Sequence, residues 1–203
     1  NCSGKHCGQL AFCQHQGWNV SDYNLVTHPA QQAMLAMFSE LAGEPIDIVG
    51  VDGCTLPAPR LSLTGFARAL AKIAAPDLLN GTMSKAAEQI MASTMQFPFL
   101  TGGTKSPNSI MTAASSKKFF AKNGAEGVYA VILPEARAAM VLKIADGSMR
   151  AADVAIAGML AQMAEQLNLD RDMLNKFSVE DMHNSANDKV GVCQYANIMP
   201  IQN

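Results

Sequence analysis

The clearest indication of the fold lies in residues 128–144, VYAVILPEARAAMVLKI. The stretch contains two apolar, partly β-branched runs of strand length, 128–133 and 138–144, joined by a connection at 134–137. This arrangement predicts a β-hairpin with a longer connection. A helical pattern follows at about 152–167, with an apolar side formed by Val154, Ile156, Met159, Leu160 and Met163. A helix over a hairpin indicates an α+β fold, an antiparallel sheet with packed helices.

Upstream of the hairpin, apolar residues recur at helical spacing in several segments, which are 3–15, 27–41, 66–73 and 83–95. Gly17 closes the first of these helices. In the second, Thr27 is the expected cap and Pro29 lies in the first turn. Helices therefore occupy most of the chain before the sheet.

Short extended segments complete the pattern. The β-branched run 46–51 predicts a strand that brings Cys54 to its end, where sites tend to lie. The segment 102–108 is rich in turn residues and predicts a loop. A last strand is expected at 190–195.

The composition fits one globular domain. The chain has 203 residues, of which 49% are hydrophobic and 16% charged, so one sizeable core can be buried. The length suggests one domain or at most two small ones, and we expect a single domain over 1–203. Fifteen Lys and Arg against 17 Asp and Glu give a net charge of −2. This balance provides no basic surface for a phosphate backbone and argues against nucleic acid as a partner.

The sequence also gives indications about membrane association, cellular compartment and the extent of the chain. No apolar run approaches the ~18 residues of a transmembrane helix, so no membrane partner is expected. The five cysteines are odd in number and scattered, unlike the dense pattern of small secreted domains, which favours a reducing, cytoplasmic setting. The sequence lacks an initiator Met and begins within a chemical motif. We expect it to be the carboxy-terminal portion of a longer chain.

The opening run contains candidate metal ligands. If Cys2 begins the first helix, Lys5 lies three residues on and shares its face. Cys54, at the end of the predicted strand, offers a third group. Two thiolates and one nitrogen suit zinc and leave a coordination position open. Lysine is an unusual ligand because its amine must first lose a proton. The alternative is that these are ordinary free cysteines, which are often buried.

Two lysine motifs are candidates for parts of an active site. The run Ser115-Ser116-Lys117-Lys118 matches Ser-x-x-Lys, the pattern of penicillin-recognising enzymes, and we interpret the match as chance. Lys122-Asn123-Gly124 precedes a predicted strand, where such enzymes place a cation beside the nucleophile. An ordinary charged turn explains the same residues. His6 adjoins the cysteine and lysine cluster.

Taken in order and spacing, these motifs resemble the asparaginase II family of Rhizobium etli type. The resemblance extends to about residue 165. It rests on Asn1-Cys2-Ser3-Gly4-Lys5-His6, Gly17-Trp18, His28-Pro29 with Gln31, Val51-Asp52-Gly53-Cys54, Gly102-Gly103 and Gly124-Ala125-Glu126-Gly127-Val128. The first of these motifs is the most specific.

The resemblance implies a fold similar to serine β-lactamases and penicillin-binding proteins, and hydrolysis of L-asparagine to aspartate and ammonia. It implies that zinc is bound by Cys2, Lys5 and Cys54. Asp52 would hold this site on its substrate side, and His6 would line the substrate pocket. Lys122 would be the active-site lysine on the hairpin strand, where it assists a serine nucleophile.

Departures from the family pattern leave alternatives open. The family's serines lie upstream of the opening motif, so we expect the nucleophile to be supplied outside this chain, by a missing amino-terminal segment or by a second chain, for example in a homodimer. Ser106 stands where the family has Arg, and Asn123 where it prefers Gly. The alternative functions are a catalytically silent module of the same fold that binds a small molecule, and a penicillin-type serine acyl-enzyme.

Overall fold

A computed structural model describes residues 2–196 of the chain. Asn1, the first residue of the opening motif, and residues 197–203 lie outside the described residues. Residues 2–196 form eight α-helices, one short 3₁₀ helix and seven strands in antiparallel pairs, so the α+β prediction is confirmed. The chain divides into two compact units, Asn1–Leu70 and Ala71–Asn203. The single domain over 1–203 stays a prediction.

The first unit begins with two helices, α1 (Cys2–Gln16) and α2 (Pro29–Ala42), both predicted. Gly17, with a φ of +70°, ends α1 as expected. The cap of α2 is His28 and not Thr27, because the Nδ1 atom of His28 accepts the Ala30 amide at 3.1 Å. The Nε2 atom of His28 lies 2.9 Å from the Asn19 carbonyl, so both nitrogens of this buried ring have hydrogen-bond partners.

Two short strands follow α2 and enclose the turn that contains Cys54. β1 (Val49–Val51) pairs with β2 (Pro57–Pro59), from Val49 opposite Pro59 to Val51 opposite Pro57. The observed strand is shorter than the predicted strand 46–51, since only its last three residues pair with β2. A predicted helix, α3 (Leu63–Ala74), comes next and contains the division between the units.

The second unit contains the remaining helices. They are the 3₁₀ helix Pro76–Leu78, α4 (Gly81–Gln96), α5 (Pro98–Gly102), α6 (Pro107–Ala114), α7 (Met149–Gln162) and α8 (Arg171–Asn175). The loop predicted at 102–108 is shorter, because α6 begins at Pro107, whose fixed φ suits a first helical turn. None of the described helices has the length and apolar composition needed to cross a membrane.

The main sheet of this unit has three strands in the order β3 (Phe120–Asn123), β4 (Val128–Leu133) and β5 (Ala138–Lys143). β4 and β5 form the predicted hairpin. Lys122 does not lie on β4 or β5, but on the strand that pairs with β4 across the turn at 124–127. It belongs to β3, an additional edge strand, and stands opposite Ala130 of β4. The polar residues of this short strand gave no alternating signal.

The core of the second unit lies between this sheet and α7, with α6 and α8 at its sides. Tyr129 and Val131 of β4, together with Ile156 and Leu160 of α7, are fully buried. Burial of such side chains stabilises the unit by about 1.5–3 kcal/mol each. The predicted helix over the hairpin is therefore confirmed, although it ends at Gln162 and not at 167.

A second hairpin, β6 (Val179–His183) and β7 (Lys189–Gln194), packs against α7. Only its second strand was predicted, because β6 is mostly polar and exposed. Tyr195, directly after β7, lies against Gly158 of α7 and donates a hydrogen bond from its hydroxyl to Gln162 Oε1 at 2.9 Å. These contacts fix the end of the hairpin to the helix.

Candidate functional site

The amino-terminal end of α1 meets the turn between β1 and β2. Cys2 Sγ, a carboxylate oxygen of Asp52 and Cys54 Sγ all lie within 4.8 Å of one another. The turn that presents Asp52 and Cys54 is closed by backbone hydrogen bonds, from Asp52 N to Leu56 O and from Thr55 N to Asp52 O, both 2.8 Å. Residues far apart in sequence are thus brought to one place within the first unit.

Asp52 is the polar centre of this cluster. Its Oδ2 atom accepts hydrogen bonds from Lys5 Nζ at 2.5 Å and from Cys54 Sγ at 3.4 Å, while Gly53 N donates to Oδ1 at 2.7 Å. The hydrogen bond from Lys5, followed by those from Cys54 and Gly53, lowers the pKa of Asp52. The carboxylate is therefore held in its charged form.

Lys5 is an ammonium in this arrangement. Burial lowers its pKa, but the hydrogen bond and charge of Asp52, together with Cys54, outweigh this effect and raise the pKa above its ordinary value. A protonated amine has no lone pair to offer a metal. Lys5 can become a ligand only if it leaves Asp52 and loses a proton.

The donor set suits zinc without Lys5. Two thiolates and a carboxylate oxygen are common zinc ligands, with bonds of about 2.0–2.3 Å. Cys2 is exposed and Cys54 is half-buried, so an ion can reach both sulfurs from solvent. Among the described residues, this is the one group of three or more His, Cys, Asp or Glu side chains arranged to hold a metal ion.

His6 follows Lys5 on α1 and belongs to the same helix face as Cys2. Its Nδ1 atom forms a hydrogen bond with the hydroxyl of Tyr23, and the two rings meet edge to face at 5.7 Å. The Tyr23 carbonyl accepts from Gln31 Nε2 at 2.7 Å, and the same nitrogen donates to Gln9 Oε1 at 2.6 Å. Buried Gln31 of α2 thus fixes the loop residue that orients His6.

Lys122 lies on β3 in the second unit. Its amine donates to the carbonyl of Asn123 at 2.5 Å and to the side-chain oxygen of the same residue at 3.0 Å. Burial lowers the pKa of this half-buried lysine, which favours the neutral amine that a general base needs. Neutral acceptors hold the amine, whereas the carboxylate of Asp52 holds Lys5 as a cation.

The Ser-x-x-Lys match at residues 115–118 has no free nucleophile. Ser115 is buried, and its hydroxyl donates to the carbonyl of Thr112 at 2.8 Å. Lys118 donates to the carbonyl of Asn168. The hydroxyl is therefore committed to the end of α6, in keeping with a chance match.

Comparison with known families shows to which family the chain belongs. A family model described as L-asparaginase II matches residues 1–195. The chain belongs to the L-asparaginase II family. No match was found among curated proteins. Membership of the L-asparaginase II family implies a hydrolase that acts on amides, with L-asparagine as the implied substrate.

In this L-asparaginase II family member, five of the residues singled out from the sequence lie in the first unit. The structure brings together Cys2, Lys5, Asp52 and Cys54, with His6 on the same helix. Lys122 lies in the second unit. Tyr23 was missed, since a loop tyrosine carries no periodic signal. Gln31 had contributed to the family resemblance, but its role in holding Tyr23 was not foreseen.

Proposed function

We propose that this chain is the metal-binding and substrate-pocket part of an L-asparagine amidohydrolase. The observation that supports the proposal best is the convergence of Cys2, Asp52 and Cys54 in a chain of the L-asparaginase II family. The proposal includes the Rhizobium etli type and a fold similar to serine β-lactamases. A half-buried lysine on an edge strand of an antiparallel sheet supports the second point.

The proposed cofactor is zinc, bound by Cys2 and Cys54, with Lys5 as the nitrogen ligand once it has left Asp52 and lost its proton. Asp52, which already contacts both Lys5 and Cys54, would then hold the ligands in place and face the substrate with His6. When bound, zinc supplies a fixed positive charge and polarises oxygen atoms near it. Both thiols must be reduced to bind it, which agrees with the expected cytoplasmic setting.

The proposed reaction uses a serine outside residues 1–203, where the family resemblance locates the nucleophile. The serine oxygen forms a bond to the side-chain carbonyl carbon of asparagine, and its proton passes to the neutral amine of Lys122. Lys122 returns the proton to the departing nitrogen, so that the C–N bond breaks and ammonia leaves. Water then cleaves the ester, which releases aspartate and restores the serine.

The proposal is tested by ammonia release from L-asparagine with zinc supplied. The chain joined to the serine-bearing segment should release ammonia, and residues 1–203 alone should bind zinc and asparagine without turnover. Ammonia release by residues 1–203 alone would show that the nucleophile lies within them. Binding without turnover by the joined form would support the silent module, and labelling by a β-lactam would support the acyl-enzyme.

Two alanine substitutions of lysines test which residue accepts the proton. Lys122→Ala should reduce kcat by about 10²–10⁴-fold, the usual contribution of a general base. Lys85→Ala, on an exposed part of α4, is the matched control and should leave kcat unchanged. Equal rates for the two variants would remove Lys122 from the mechanism.

A further inference from the structure

The outer edge of β3 is closed by side chains of α6. Thr112 Oγ1 accepts a hydrogen bond from the Ala121 amide at 3.0 Å, and Asn108 Nδ2 donates to the Ala121 carbonyl at 3.4 Å. Asn108 and Thr112 are four residues apart and therefore lie on one face of the helix. Both are almost completely buried, at 0% and 1% exposure. Two side chains thus replace the neighbouring strand that β3 lacks.

The register of the sheet explains why both polar groups of Ala121 are available to α6. In an antiparallel pair, alternate residues direct their N–H and C=O towards the partner strand. Gly124 donates to Val128 O at 2.8 Å, so the even-numbered residues of this segment face β4. Ala121 is odd-numbered and faces outward. Lys122, the next residue, directs its backbone N–H and C=O towards β4.

Side-chain direction links this edge to the lysine. The Ala121 side chain is fully buried in the core. Because successive side chains of a strand point to opposite faces, Lys122 leaves β3 on the other face. Any shift of the strand at Ala121 moves the Lys122 amine with it, since one peptide unit joins the two residues.

The amide of Asn108 is itself oriented. The Ser106 hydroxyl donates to Asn108 Oδ1, which leaves Nδ2 for the Ala121 carbonyl. A Cβ atom at Gly102 would lie 2.6 Å from that Nδ2, so the end of α5 allows this contact only through a glycine. Ser106 stands where the family resemblance places Arg, and here it fixes the amide.

We propose that Asn108 and Thr112 are positioning residues for Lys122, which they hold in place through the backbone of Ala121. The proposal rests on the proposed function only for the role of Lys122 in proton transfer. It assigns to α6 a part in the reaction that is exerted through the backbone of β3, whereas the hydrogen bonds of the lysine amine go to Asn123.

The test measures the reactivity of Lys122 directly. Acetic anhydride labels neutral lysine amines, and mass spectrometry of the Lys122 peptide gives labelling against pH, with Lys85 as an internal reference. In Thr112→Val, the Ala121 amide loses its acceptor and β3 loosens at its edge. The midpoint of Lys122 labelling should then shift upward, because the amine becomes more solvated. Thr112→Ser keeps the hydroxyl and should restore the original midpoint.

Ser109→Ala is the matched control. Ser109 is buried on the same helix, but its hydroxyl makes no hydrogen bond to the described residues, so its removal should leave the midpoint unchanged. An unchanged midpoint in folded Thr112→Val would overturn the proposal. If that variant does not fold, Ser106→Ala tests the same proposal. Loss of the Ser106 hydroxyl releases the Asn108 amide and should give a smaller upward shift of the Lys122 midpoint. An unchanged midpoint in Ser106→Ala would contradict the proposal.

Labelling and ammonia release separate the two proposals. In the active form, Thr112→Val should lower kcat about tenfold with KM little changed, as expected for a displaced catalytic group. A labelling shift without any ammonia release from the unmodified sequence would leave the positioning intact and contradict the amidohydrolase. Normal ammonia release from the unmodified sequence, with no labelling shift in Thr112→Val, would leave the amidohydrolase intact and contradict the positioning role.

Discussion

Lys5 Nζ lies 2.5 Å from Asp52 Oδ2, so an ion pair joins the start of α1 to the turn between β1 and β2. The pair spans 47 positions of sequence, and the sulfurs of two proposed zinc ligands, Cys2 and Cys54, lie within 4.8 Å of a carboxylate oxygen of Asp52. Asp52 is thereby both a support for the site and a competitor for its nitrogen ligand. Zinc binding through Lys5 requires this pair to open.

Loss of either clustered thiol should abolish tight zinc binding. Cys2→Ser and Cys54→Ser each remove a direct ligand, so the affinity should fall by more than the about 100-fold that an outer partner contributes. The measurement is competition with a chromogenic chelator, together with metal content after dialysis. Cys7→Ser is the control, because Cys7 is an exposed thiol of the same helix outside the cluster. Equal losses in all three variants would contradict the ligand assignment.

Asp52→Asn should weaken zinc binding by about 10–100-fold, the usual effect of removing a group that holds a ligand. The amide retains the size of the carboxylate but cannot hold Lys5 by charge. Asp47→Asn is a close control, since Asp47 forms an exposed ion pair with Arg60 at 3.0 Å in the same unit. Titration calorimetry with zinc compares the two variants. An unchanged or higher affinity for Asp52→Asn would show that the carboxylate gives the zinc site no net support.

The half-buried carboxyl of Asp153 on α7 should make the second unit less stable as the pH rises. Burial, assisted by the charge of Glu180, raises the pKa of Asp153 to about 6, although its contact with Tyr129 opposes this effect. The folded pKa lies above the ordinary 3.8, so the folded chain retains a proton that the unfolded chain releases. The destabilisation is absent below pH ~4, grows between pH ~4 and ~6, and is complete above that.

Asp153→Asn should therefore raise the melting temperature at pH 7.5 and have little effect at pH 4. The expected gain is about 1–2 kcal/mol, less than the full shift would give, because the carboxyl is partly exposed. Thermal melting at the two pH values measures it. Asp172→Asn, at an exposed position of α8, is the control. A gain of equal size at both pH values would show that ionisation is not its cause.

Alanine substitutions at two glycines test the packing of the last hairpin. A Cβ atom at Gly158 would overlap the ring of Tyr195, so Gly158→Ala should destabilise the protein by about 1–3 kcal/mol. A Cβ atom at Gly8 of α1 would have no neighbour within 4 Å, and Gly8→Ala should stabilise by up to about 1 kcal/mol. Thermal melting compares the variants. If Gly158→Ala is as stable as the parent, Tyr195 does not pack against α7 as described.

The elements predicted from sequence are those whose own residues carry the signal. β4 and β5 are apolar along their length, and the hairpin was predicted with bounds within one residue of those observed. β3 and β6 are short and partly polar, and each becomes a strand only through its partner. Pairing of this kind depends on tertiary contacts that a local pattern does not contain.

The candidate site was predicted to a similar extent. Helical spacing predicts Cys2 and Lys5 on one face, and both lie on α1, next to the turn after β1 that contains Asp52 and Cys54. Spacing gives no information about protonation, so the pairing of Lys5 with Asp52 was not foreseen. Tyr23 lies between α1 and α2, in a segment that Gln31 of α2 holds through the Tyr23 carbonyl, a contact that no local pattern contains.

The side chains of α6 also determine how the main sheet meets other molecules. An open strand edge presents N–H and C=O groups on which a strand of another chain can add, and this is a common start of aggregation. At Ala121 both groups are already taken by Asn108 and Thr112. A foreign strand can pair there only after α6 has moved away. The contacts that hold Lys122 in place therefore also keep copies of the chain from joining edge to edge through β3.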